Sequence, residues 1–521
     1  MNHPTLLIRV LLFIGIVNGS VLQAQTTREG VSLSEITIAQ LQELYRSNRT
    51  SIPSVTEAYL QRIREIDHSG PELRSVLTLN PEAIQIAQQL EAERKAGKLR
   101  GPLHGVPVLL KDNIDTHDRM PTTAGSRALA NSFPLEDSPV AAQLRAAGAV
   151  ILGKTNLSEW ANFRGELSSS GWSGLGGQTK NPYEPTRNPC GSSSGSGVAV
   201  SANLAMAAIG TETNGSIVCP AHANGIVGLK PTVGLISRTG IIPISFTQDT
   251  AGPMTRIVAD AATLLGVLTA TDSRDSKTLD NNRVVHPDYT VFLKPNGLQG
   301  KRIGYFTGLA GRNYKVDALF LEAKAQLEAM GATLIELKEV VPGRANGISF
   351  QIMLYEYREG LAAYFKSLGD KSPLKSIEEL IVFNEKDPVE LQHFNQEYLE
   401  MALTTTDKEA YENNLKQLME LTRQEGIDKV MNTHRLDAII APTGSPAWKT
   451  DWVNGDHYQI GSSGPAAMAG YPNLTVPMGF VDGLPVGISF YGRAWSEGLL
   501  LEIGYGFEQA TKVRKPPVSA P

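Results

Sequence analysis

Apolar positions recur at helical spacing over residues 32–64 (Ile36, Ile38, Leu41, Leu44, Tyr45), with Ser34 placed as a cap, and predict helix there. A charged amphipathic helix is predicted over residues 82–98. The run Val106, Pro107, Val108, Leu109, Leu110 is continuously apolar, ends at Lys111, and reads as a buried strand. Residues 141–147, the Gly148 turn and residues 149–152 read as helix, turn and strand. Alternation of this kind predicts an α/β core with at least partly parallel strands.

From 288 to about 436 the pattern changes. Long charged helices are predicted over residues 318–330, 349–368 and 387–401, beside strands at 303–307 and 334–337. Small, Gly-rich patterning then returns, with a buried strand over residues 437–442. Residues 288–436 are therefore expected to be a helical elaboration around a substrate cleft, inside a single domain spanning 25–521.

Composition narrows the partners. The 521 residues are 41% apolar and 19% charged, with a net charge of −5. That is ordinary globular chemistry, and no basic excess points to nucleic acid. Arg9 precedes an apolar run over residues 10–17, and small or polar residues follow it. This reads as a signal peptide over 1–24 cut after Ala24, although Leu22 is not the ideal small residue before the cut. The run is short for a bilayer span, so the expected location is periplasmic or secreted, without membrane insertion after cleavage. Two cysteines, Cys190 and Cys219, are either a disulfide that export permits or two buried thiols. They are too few for a Cys/His metal site, and the nine histidines lack ligand spacing. No metal and no cofactor are expected.

Candidate chemistry gathers at the Gly/Ser run of residues 191–197 and at a second turn, Thr213-Asn214-Gly215-Ser216-Ile217. Glycines set between apolar segments imply a backbone that turns tightly and lies close to its surroundings. Gly191-Ser192-Ser193-Ser194-Gly195 formally matches a nucleophile elbow on Ser193, but an elbow follows a strand. Pro182, Pro185 and Pro189 exclude a central strand there. Ser372-Pro373-Leu374-Lys375 matches an S-x-x-K motif, which reads more simply as a helix start.

The whole pattern fits a third reading. It runs through residues 105–113 (Gly-Val-Pro-Val-Leu-Leu-Lys-Asp-Asn), 123–126, 148–156, 225–232 and 249–254, around the two serine motifs. This ordered set resembles the amidase signature family over nearly all of the chain after the leader. The resemblance implies an α/β fold with a large mixed, twisted sheet covered by helices on both faces. It implies a Ser–cisSer–Lys triad, with Ser216 as nucleophile, Ser192 as the bridging serine on a cis peptide bond, and Lys111 as terminal base. Backbone N–H groups of Thr213, Asn214, Gly215 and Ser216 would form the oxyanion hole. Asn214 stands where relatives often carry aspartate. Physical chemistry supports these roles: a serine hydroxyl needs an adjacent base, and burial disfavours the charged form of lysine. Lys154 and Lys230 lie in similar motifs but read as packing residues.

Residues 442–448, 451–457, 188–191 and 376–401 resemble the peptide amidase branch of the family. The expected function is an amidase releasing ammonia from C-terminally amidated peptides, with a peptide amide or other amide and water as partners and no nucleic acid. Two alternatives stand beside it: a broad acyl, aryl or fatty-acid amidase, and a catalytically silent binding protein on the same fold.

Overall fold

Runs that are apolar on both faces become strands of a mixed eleven-stranded sheet in the computed structural model, which describes residues 25–517. The expected leader, 1–24, lies outside the described residues. In chain order the strands are β1 (Val76–Leu79), β2 (Pro107–Lys111), β3 (Val150–Thr155), β4 (Trp172–Ser173), β5 (Gly177–Gln178), β6 (Ala207–Glu212) and β7 (Val227–Lys230). They continue with β8 (Thr250–Thr255), β9 (Arg302–Phe306), β10 (Thr333–Leu337), β11 (Ala438–Pro442), β12 (Asn473–Val481) and β13 (Leu484–Tyr491). The sheet order is β1-β3-β2-β6-β8-β7-β12-β13-β11-β9-β10, while β4 and β5 form a separate small hairpin.

The expected α/β architecture is present, with helices on both sides of the mixed sheet. Strand β2 runs parallel to β3 and β6, and β9 runs parallel to β10 and β11. The strands between them pair antiparallel. Every residue of β2, β3, β6, β7, β8, β11 and β13 is buried, as expected where helices cover both faces.

Two helix predictions need correction. The periodic stretch 32–64 divides into helices Ile38–Arg46 and Ile52–Arg62, because Ser51 caps a new helix with Pro53 in its first turn. The first cap is Thr37, not Ser34: Thr37 Oγ1 and the Gln40 side chain form a reciprocal capping box. The stretch 387–401 is not one helix either. Helices Ile377–Lys386 and Glu397–Thr404 flank an irregular segment. Asp387 precedes Pro388, which disfavours helical backbone at that position.

That irregular segment has a second cause. It delivers Glu390 to Arg164, which is fully buried against Glu159 and Glu390. The Arg164 guanidinium donates to Glu390 Oε2 at 3.1 Å and Phe394 O at 3.1 Å, and lies 4.0 Å from the centre of the Phe394 ring. A buried guanidinium left unpaired would cost several kcal/mol, of order 3–5. Satisfying it fixes the segment around 390–394 against the loop that carries Glu159.

Candidate active site

Strand register decides where the chemistry lies. Val108, Leu109 and Leu110 of β2 pair in parallel with Ala207, Ala208 and Ile209 of β6. Lys111 and Thr211 therefore emerge together at the carboxyl ends of neighbouring parallel strands, where open α/β sheets place their ligands. The Gly/Ser run packs over the same edge. It is no linker: Ser194–Ser201 is a helix buried at all eight positions. A Cβ on Gly195 would lie 2.2 Å from Ser75 O, and one on Gly191 would lie 2.1 Å from Ser158 Oγ. Only glycine fits at either position. The peptide bond between Gly191 and Ser192 is cis.

The serines of this run divide by partner. Ser193 Oγ donates to Thr211 O at 3.0 Å and accepts from Thr211 N at 3.1 Å, pinning the run to β6. Ser194 Oγ donates to Cys190 O, and Ser196 shares a hydrogen bond with Thr155. Ser192 alone faces Lys111, with 2.7 Å between its Oγ and Lys111 Nζ. The formal elbow serine is thus a structural clamp.

Lys111 is fully buried, and burial pushes its pKa down to about 7, against the opposing pull of the Asp249 and Glu212 carboxylates. Besides Ser192, Nζ contacts Thr211 Oγ1 at 2.8 Å and Thr211 O at 3.3 Å. A neutral amine has two N–H donors and one lone pair. With both donors directed at Thr211, the lone pair is left for the Ser192 hydroxyl. Thr211 Oγ1 is itself held by Asn113 Nδ2 at 3.0 Å.

The second serine motif wraps around a carboxylate. Glu212, at the end of β6, accepts from the N–H of Gly215 at 2.8 Å, Ile217 at 2.8 Å and Val218 at 3.0 Å. Gly215 has φ +87°, the left-handed turn this wrap requires. Ser216 is placed at the mouth of a cavity, with 9% of its surface exposed. Its carbonyl accepts from Ser193 N at 3.1 Å, which ties the two serine motifs together. Its hydroxyl makes no hydrogen bond among the described residues, so the structure brings Lys111 and Ser192 into contact and leaves Ser216 Oγ free. One expectation is corrected here. Gly215 N–H is committed to Glu212, which leaves Thr213, Asn214 and Ser216 as the N–H groups available to an oxyanion.

The surroundings reinforce this geometry. Thr213 Oγ1 donates to Asp249 at 2.6 Å, and burial pushes the Asp249 pKa up to about 6. The exposed Asn214 accepts from Ser463 Oγ at 2.7 Å. Cys190 and Cys219 form a disulfide, which resolves the two sequence alternatives and closes a covalent ring around both serines. Lys154 donates to Ile114 O and Thr122, and Lys230 to Tyr471 O and Pro231 O, so both serve packing. Lys375 of the S-x-x-K motif is exposed and donates to Gly369 O. Sequence reasoning missed Thr211, Glu212 and Asp249. An acidic residue ending an apolar strand, four positions before Ser216, was the readable signal for Glu212.

Above Ser216 lies a cavity of about 530 Å³, within the usual range for small-molecule sites. Phe163, Ile244, Met353, Trp448 and Tyr458 form its apolar walls. These walls come from the loop after β3, the loop between β7 and β8, the helix Ala345–Ser367 and the segment after β11.

The sequence profile of the Amidase family matches residues 54–501. A probable amidase of Arabidopsis thaliana is 38% identical over 497 residues, covering 93% of this chain and 92% of its own length. One component of the glutamyl-tRNA(Gln) amidotransferase of Thermosynechococcus vestitus is 35% identical, covering 90% of this chain and 98% of its own. Among solved structures, the native peptide amidase of Stenotrophomonas maltophilia is 49% identical, with a TM-score of 0.89, covering 93% of this chain and 99% of that one.

Proposed function

This chain belongs to the amidase family and is a serine amidohydrolase, and on that premise we propose that it releases ammonia from C-terminally amidated peptides. The observation that carries the mechanism is the sealed contact between Lys111 Nζ and Ser192 Oγ, beside a free Ser216 hydroxyl on an open cavity. The likeness to peptide amidase supports the substrate class.

Neutral Lys111 takes the Ser192 proton while Ser192 takes that of Ser216, whose hydroxyl turns onto it as substrate enters. Apo hydrogen bonds of this kind often tighten only in the complex. Ser216 Oγ attacks the amide carbon, and the N–H groups of Thr213, Asn214 and Ser216 hold the oxyanion. Such donors are worth about 3–4 kcal/mol each where removal has been measured. The proton returns through Ser192 to the leaving nitrogen, ammonia departs, and water hydrolyses the acyl-enzyme by the same route.

Ammonia release from an amidated dipeptide and from a fatty amide, set against aniline release from an anilide, tests this reading. Cleavage of the dipeptide amide that is lost in Ser216→Ala supports it. Preference for the anilide or the fatty amide replaces it with a broad amidase. For location we propose export, supported by the leader-like residues 1–24 and by a Cys190–Cys219 bridge of the kind that persists in oxidising compartments. A mature chain beginning at Gln25 is the result that N-terminal sequencing should give.

A further inference from the structure

The charge of the substrate cavity is one-sided. Its walls carry two carboxylates, Asp456 and Glu166, and no lysine, arginine or histidine. Neither carboxylate forms an ion pair among the described residues. Asp456 is held by neutral donors only: Ser170 N at 3.0 Å, Trp448 Nε1 at 3.1 Å and Asn188 Nδ2 at 3.3 Å. Glu166 is exposed at the rim, and its carboxylate has no hydrogen-bond partner among the described residues. The nearby Arg164 offers no compensation, since Glu159 and Glu390 already enclose it.

Asp456 is also close to the chemistry. Trp448, which donates to it, packs with the Cys190–Cys219 disulfide, and Cys190 adjoins the Gly191–Ser192 bond. Ser170, its backbone donor, has its Cβ 3.3 Å from where a Cβ on Gly191 would lie. A carboxylate with neutral donors behind it and a cavity before it is a receptor for a cation, because that lining holds no positive charge to satisfy it.

We propose that Asp456 and Glu166 form a cation-recognising subsite, so that the enzyme selects amides carrying an ammonium group on the acyl side. This rests on the peptide-amide reading above and deepens it: the preferred substrate is a short peptide amide with a free N-terminus. The same field disfavours the carboxylate product, which bears a negative charge where the substrate bore none.

The test compares alanyl-phenylalaninamide with its Nα-acetyl form, with ammonia release as the readout. We expect kcat/KM about tenfold higher for the free ammonium at low salt, carried mainly by KM, as for a charge-assisted hydrogen bond. Raising the salt to about 0.5 M should shrink that ratio. Glu166→Gln, an exposed change, should cut the ratio severalfold, and Asp456→Asn should cut it further. Equal kcat/KM for the two peptides, or a ratio unmoved in Glu166→Gln, overturns the subsite while leaving the peptide-amide reading intact. Release from neither peptide, with an anilide still cleaved, overturns both.

Discussion

If Lys111 is the base, activity must follow its proton. The ordinary lysine value of 10.5 falls to about 7 here because the ammonium form is buried. That displacement corresponds to roughly 5 kcal/mol against the charged form at this position. For a substrate limited by acylation, kcat/KM should be level above pH 8 and fall about tenfold per pH unit below 7, as the neutral fraction falls. A neighbouring carboxylate identifies which group titrates. The Asp249 charge raises the Lys111 pKa, so Asp249→Asn should move the inflection to lower pH. Stability responds to the same proton over a higher range of pH. Between about 7 and 10.5 the unfolded chain binds the lysine proton and the folded chain does not, so this residue's penalty shrinks as pH rises across that window. Below 7 the penalty is at its full value. Lys111→Met should therefore abolish turnover yet stabilise the fold at pH 6. The gain is roughly 5 kcal/mol of relieved charge burial less about 1–3 kcal/mol for orphaning the polar groups of Thr211 and Ser192. Ammonia release across pH and urea denaturation at pH 6 and 9 are the measurements. A profile flat from pH 5.5 to 7.5, an inflection that rises in Asp249→Asn, or an active Lys111→Met would each refute the reasoning.

The two adjacent serines should separate cleanly. Ser192→Ala should lose about 10³-fold or more in kcat, whereas Ser193→Ala should keep turnover and lose about 1–3 kcal/mol of stability with its clamp on Thr211. A dead but stable Ser193→Ala would restore the elbow reading. Glu212→Gln keeps the shape but weakens the three N–H contacts that set the Ser216 turn. Steady-state kinetics should show kcat down about 10–100-fold with little change in KM; an unaltered kcat would remove Glu212 from the account. Replacing both cysteines by serine opens a ring with a sequence separation of 29, which the chain-entropy relation values at about 3–4 kcal/mol. Urea titration should show that loss, and a midpoint equal to wild type would mean the bridge does not stabilise.

The strands at 107–111, 150–155 and 438–442 were readable as short apolar runs, because a strand buried on both faces needs no partner to declare itself, whereas β6, β7, β8, β12 and β13 were not predicted. Lys111 stood out as a charge closing such a run, and the family pattern singled out Ser192 and Ser216. What escaped were residues whose meaning lies in contacts across the chain. Glu390 looked like part of a charged helix, yet it bends the backbone out of helix to reach Arg164, 226 positions away. Glu212 collects N–H groups that local propensity cannot assign, and its claim on Gly215 removes one donor expected for the oxyanion. The Cys190–Cys219 bridge was undecidable from a count of two cysteines, since pairing depends on the approach of residues 29 apart.

Reaction and recognition are written in different stretches of this chain. The proposed proton relay needs only Lys111 and residues 190–219, locked by glycine contacts, the clamp of Ser193 and a covalent ring. Outside that short stretch the cavity walls come from the loop holding Glu166, the loop holding Ile244, the helix holding Met353, and the segment holding Trp448 and Asp456. A substitution in the walls leaves Lys111 and its partners untouched, whereas almost none is tolerable at Gly191 or Gly195. Such a protein can drift in what it accepts while its chemistry stands still. Directed evolution toward new amides should therefore find its productive changes in the walls and almost none in the run from Cys190 to Gly197.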